Sequence, residues 1–163
     1  MPERKTLQRA RRDKREGKSP STQAGEFVRE EIHHVRSGKH GVRNAKQAIA
    51  IGLSKARRAG VKLPVPKKGR YSKKIRNQAR RDSARGRAKN RSVSPRRSHG
   101  VLKALRREGR HGVTRRALGR QAHASARRRG PAARHIAALR AVRTKGPSGL
   151  RRAARKAATH RRK

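Results

Sequence analysis

The chain has no cysteine and no tryptophan, and only one phenylalanine, one tyrosine and one methionine in 163 residues. Without thiols, disulfides, thiolate metal sites and thiol redox chemistry are excluded. With so few large apolar side chains, there is little to offset the roughly 1 to 2 kcal/mol of backbone entropy lost per ordered residue. Carboxylates are scarce as well: eight Asp and Glu stand against 52 Lys and Arg, and six of the eight precede residue 32. Acid–base or nucleophilic catalysis needs titratable groups gathered in a closed site. We therefore expect no enzyme, no small-molecule substrate and no cofactor. No apolar run approaches the roughly 18 residues of a membrane span, and MPERKTLQRARRDKREG lacks the apolar stretch of a secretory signal. No membrane partner is expected, and the expected setting is cytoplasmic.

What the chain has is positive charge, a formal +44. Self-repulsion at that level calls for a polyanion, and nucleic acid is the obvious one. Residues 1–69 carry 19 basic and 6 acidic side chains, residues 70–163 carry 33 and 2. The stretch LPVPKKGRYS separates them, because Pro64, Pro66 and Gly69 cannot continue a helix. The expected organisation is a small helical domain over 1–69 and an Arg/Lys/Ala-rich nucleic-acid-binding tail over 70–163. The fold class is mainly α: a helical hairpin domain plus a long basic tail that is disordered or forms isolated helices.

Three helices are expected in the first part, at about 3–16, 20–37 and 44–59. The second opens with Ser19 as N-cap and Pro20 at its first position and ends before Gly38. Ala24, Phe27, Val28, Ile32 and Val35 form its apolar stripe, with Glu26 and Glu30 opposite. The third opens with Asn44 as N-cap and Gln47 three residues on, and ends at Gly60 in a left-handed cap. Its stripe is Ala45, Ala48, Ile49, Leu53 and Ala56. A hairpin of about 40 residues is marginal alone, so the preceding helix, a partner or self-association is expected to complete it. In the tail, Tyr71 to Arg91 is polar almost all round and should order only on binding. GPAARHIAALRAVRTK (130–145) and GPSGLRRAARKAATHR (146–161) form a weak repeat, each Gly-Pro followed by Ala and Arg.

The pentapeptide GKHGV at 38–42 returns as GRHGV at 109–113, and His-Gly-Val stands also at 99–101, each time before a helical pattern. One reading is a turn into a helix. The other adds a phosphate contact through Lys39, His40 and the amides after Gly41, since two glycines and a helix N-terminus admit an anion. The G-x-x-G loop of the KH module is similar, but its strands have no counterpart here. A metal held by Glu30, His33, His34 and His40 is not expected, because adjacent helical histidines point about 100° apart. Glu26, Glu30 and Glu31 are better used in pairing with the following basic helix or the tail. Ser94-Pro95-Arg96-Arg97 resembles the minor-groove-binding elements of histone tails.

Aromatic side chains usually form the stacking platform for single strands and RNA, and none is in place here. Duplex DNA is therefore preferred over RNA as the partner, bound through its backbone and without sequence preference. The residues expected to carry it are Lys39 and His40 in the loop, and Lys46, Lys55, Arg57 and Arg58 on the third helix. Lys67, Lys68 and Arg70 follow at the boundary. In the tail they are Lys73, Lys74, Arg96, Arg97, Arg106, Arg107, Arg127, Arg128, Arg129, Arg151 and Arg152.

GEFVREEIHHVRSGKHG and KQAIAIGLSKARRAGVKLP, within residues 1–69, resemble an uncharacterised family of small basic bacterial proteins. That family is labelled as a domain of unknown function, or as plasmid-stabilisation or DNA-binding. Where it has Ser-Thr before Lys-Gln-Ala, this chain has Asn44-Ala45, which keeps a capping side chain. The tail is similar in composition to linker-histone tails, though richer in Arg. The expectation is a nucleoid-associated, histone-like protein that neutralises and compacts or bridges DNA. The alternatives are an RNA-binding or ribosome-associated protein, and a partner-docking structural protein anchored by its tail.

Overall fold

The computed structural model describes residues 2–69, 71–88 and 94–161, with the side chains at 156, 160 and 161 left out. Among them the chain is helical, without strands: α1 (Arg4–Arg15), α2 (Pro20–Arg36), α3 (Ala45–Arg58), α4 (Lys73–Arg87), α5 (Pro95–Arg106), a single 3-10 turn at His111–Val113 and α6 (Arg115–Arg161). Five of these helices start on a short polar side chain. Ser19 Oγ accepts from the amide of Thr22 at 3.3 Å and Asn44 Oδ1 from that of Gln47 at 3.0 Å. Gln47 Oε1 accepts in turn from the amide of Arg43, so orphan donors are satisfied from both sides. Ser72, Ser94 and Thr114 cap α4, α5 and α6 in the same way.

Within the compact unit Met1–Leu118, α2 packs against α1 and α3, and α3 packs also against α4. Two small apolar clusters form the core. Ala10, Ala24, Phe27 and Ala56 make one, flanked by Leu7, Leu53, Val61 and Leu63. Val35, Val42, Ala48 and Val113 make the other, with Ile32 and Ile51 against it. Small residues take the place of the missing bulk: a Cβ on Gly52 would fall 2.7 Å from Val28 Cα, so α2 and α3 approach closely.

Three expectations change. Glu30, placed opposite the apolar stripe, is 3% exposed and Glu31 is fully buried, because α2 is flanked on two sides and its inward arc is wider than one stripe. The basic tail is not a disordered segment: α4, α5 and α6 account for most of its described residues. α4 escapes the instability of an all-polar helix because Ala79 and Asp82 are buried on its α3 side. The 99–101 copy of His-Gly-Val lies inside α5 rather than at a helix entry.

The second unit, Gly119–Lys163, contains most of α6. That helix is broken at Gly130 (φ 78°, ψ 170°) and Gly146 (φ 65°, ψ 176°), a region open essentially to glycine alone. Pro131 and Pro147 restart it, so the weak sequence repeat is a structural one, with pieces over 131–145 and 147–161. None of the side chains described in this unit is buried. High Ala and Arg content supports helix there without a core. No described helix is long and apolar enough to cross a membrane.

Candidate nucleic-acid interface

The two pentapeptides meet each other. Gly41 N–H donates to Leu105 O and Val42 N–H to Gly109 O, both at 2.9 Å. A Cβ on Gly41 would overlap the carbonyl of Glu108, and one on Gly112 would fall 2.8 Å from Val42 O. Val42 and Val113, the last residues of the two copies, are each 1% exposed in one cluster. The amides of Gly41, Val42 and Arg43 are thus spent within the protein. His40 turns inward, its Nε2 3.1 Å from Glu31 Oε1. Lys39 is exposed but donates to Glu3 Oε1 at 2.8 Å. The hydrogen bonds from Lys39 and then His34 hold the Glu3 carboxyl at about 2.

Each of the eight carboxylates has a cationic partner: Glu3 with Lys39, Asp13 and Glu16 with Lys18, and Glu26 with Arg9 at 2.5 Å. Glu30 and Glu31 pair with Lys55, Asp82 with Arg58 at 2.7 Å, and Glu108 with Arg43. The pairing expected for Glu30 and Glu31 is with α3; Glu26 turns instead to α1.

Among the α3 cations, Lys46 is exposed, whereas Lys55 and Arg58 hold acids. Arg57 is 8% exposed, donates to Pro64 O at 3.3 Å, and has its pKa lowered by burial against the pull of Asp82. Lys67 and Lys68 lie exposed in the loop before α4; Arg70 is outside the described residues.

The outward face of α4 is a cationic surface of the compact unit. With Ala79 and Asp82 against α3, the 100° step per residue places Lys73, Lys74, Arg80 and Arg81 on the opposite arc, all exposed. Arg80 and Arg81 were absent from the sequence-based set, although the same period would have found them once the buried side was known. Arg96 and Arg97 occupy the first turn of α5 behind Ser94 and Pro95, and Arg106 and Arg107 close it, exposed. An open groove lined by Arg36, Arg110, His111, Val113, Thr114 and Arg115 runs beside the capped start of α6. Its guanidinium of Arg36 is held by Val113 O at 3.1 Å. In the second unit Arg127, Arg128, Arg129, Arg151 and Arg152 are exposed, and Arg120, His123 and Arg127 share one face of α6.

The metal set read from the sequence, Glu30, His33, His34 and His40, left out Glu31, which the fold brings together with His34 and His40. The ligand atoms of these last three lie within 4.8 Å of one another, a grouping made by the loop folding back on α2.

Residues 11–68 match the model of a family of unknown function (DUF6496). The match covers α2, α3 and the later part of α1, and supports an uncharacterised domain there. No curated protein and no solved structure matches the chain.

Proposed function

We propose that the protein is a sequence-nonspecific, nucleoid-associated DNA-binding protein that neutralises duplex DNA and compacts or bridges it. One observation carries this reading. All eight carboxylates are paired with cations of the same chain, and all lie at or before Glu108, whereas residues 109–163 hold 18 Lys and Arg and no acid. Each acid has a cation of the same chain beside it, and Glu30 and Glu31, which share Lys55, are buried, so little exposed negative charge is left to repel a phosphate backbone.

Helix supports the duplex as partner. Each piece of α6 is about 22 Å long at 1.5 Å per residue, and an α-helix fits a major groove about 12 Å wide. Lys73, Lys74, Arg80 and Arg81 present four charges on one rigid face, at low entropic cost for phosphate binding. Hydrogen-bonding readout of bases calls for Asn, Gln or Arg fixed against base edges, and the exposed α4 arginines carry no such second support.

Binding to a mixed-sequence duplex across a salt series tests the reading. If about ten phosphates are neutralised, log affinity falls against log salt with a slope of roughly −9. Competition with ribosomal RNA at physiological salt distinguishes the rival: a clear preference for RNA overturns the DNA reading.

A further inference from the structure

Glu31 lies four residues after Phe27 and four before Val35, in line with the buried apolar side of α2, and is itself fully buried. Lys55 Nζ stands 2.6 Å from its Oε2 and 3.4 Å from Oε1 of the buried Glu30. Two buried carboxylates thus share one ammonium, and a negative charge is left over unless another cation joins them. The oxygen that Lys55 does not hold, Glu31 Oε1, faces His40 Nε2 at 3.1 Å.

His40 Nδ1 is 3.1 Å from the carbonyl oxygen of Gly41, which only accepts. In the tautomer that donates Nδ1–H to this carbonyl, Nε2 turns a lone pair toward the carboxylate. Two electron-rich atoms held in this way want a cation between them. His34, three residues along α2 from Glu31, brings a ring nitrogen to the same place, so the three ligand atoms lie within 4.8 Å of one another. His34 Nε2 is bonded to Glu3 Oε1 at 2.7 Å, the outer carboxylate contact that orients ligating imidazoles.

We propose that Glu31, His34 and His40 bind a divalent first-row metal ion, zinc in the first instance, which ties α2 to the 38–42 loop. Two imidazoles, one carboxylate and a water make a zinc donor set. Tetrahedral bonds of about 2.0 to 2.1 Å give ligand-to-ligand edges of roughly 3.3 Å, close to the Glu31–His40 separation; a side-chain rotation brings His34 in. The ion supplies the missing positive charge at Oε1, while Lys55 stays on Oε2. The site is structural, and the nucleic-acid reading plays no part in it.

Zinc(II) chloride titrated into the full chain, with histidine ring nitrogens followed by NMR, tests the assignment. The ring signals of His34 and His40 should move together and saturate at one equivalent, while those of exposed His33 and His123 stay in place. The melting temperature should rise by roughly 5 °C. His40→Gln should weaken zinc binding by about tenfold or more. His34 and His40 signals that do not move at one equivalent, or wild-type affinity in a folded His40→Gln chain, overturn the proposal. If that variant does not fold, the ring signals of the unmodified chain decide.

Discussion

Gly41 lies so close to Glu108 that a methyl group on Gly41 would occupy the position of the Glu108 carbonyl oxygen. The 38–42 loop is locked against residues 105–113 by this contact, by two backbone hydrogen bonds and by the shared burial of Val42 and Val113.

Gly41→Ala should therefore destabilise the compact unit by about 3 kcal/mol or more, since backbone cannot give way as a side-chain tip can. Gly100→Ala is the contrast: it lies within α5 with no atom near its missing Cβ. Helix propensity there predicts a gain of about 0.5 to 1 kcal/mol. Urea unfolding of both variants measures the two signs.

Replacing Lys73, Lys74, Arg80 and Arg81 together by Gln should reduce the magnitude of the DNA salt slope by roughly 3 to 4, at about 0.9 per phosphate contact. Arg57→Gln should leave the slope unchanged, because Arg57 is buried and bonded to Pro64 O. An equal loss in both variants would remove the α4 face from the interface.

Glu31→Gln should cost about 1.5 kcal/mol through the lost 2.6 Å contact with the partly buried Lys55, which keeps Glu30 at 3.4 Å. Adding Lys55→Met to it should cost less than the sum of the two single changes. Thermal or urea unfolding of the four chains gives the coupling directly; strict additivity would mean that the pair does not interact.

Lys18 donates to Asp13 and lies beside Glu16, and these contacts raise its pKa, Asp13 foremost. A raised folded-state value means that the contribution is complete below the unfolded lysine value of about 10.4 and is lost as pH climbs through the higher folded one. The stability difference between the wild type and Lys18→Met should therefore shrink above about pH 10.5, as unfolding followed across that range would show.

Much of the local architecture was legible in advance. Ser19 and Asn44 act as caps because a short side chain reaching an amide three residues on is a local event. Gly38 and Gly60 carry positive φ where the helices were expected to end. The inward course of Glu30, Glu31 and Arg57 was not legible, because a helical period locates faces but not how many neighbours flank the helix. The docking of the pentapeptides was hidden for a similar reason: each reads locally as a turn, and only the other copy explains it.

By itself, then, the sequence determined the charge, its asymmetry toward the C-terminal part, the absence of thiols and the succession of capped helices. All of these follow from composition or from contacts within one turn. Only the tertiary structure decided which cations are spent and which remain. Lys55 meets Glu31, Arg58 meets Asp82 and Arg43 meets Glu108 across 24 to 65 residues of chain. Whether a charge faces solvent or a buried partner depends on what packs above it, and no local pattern carries that.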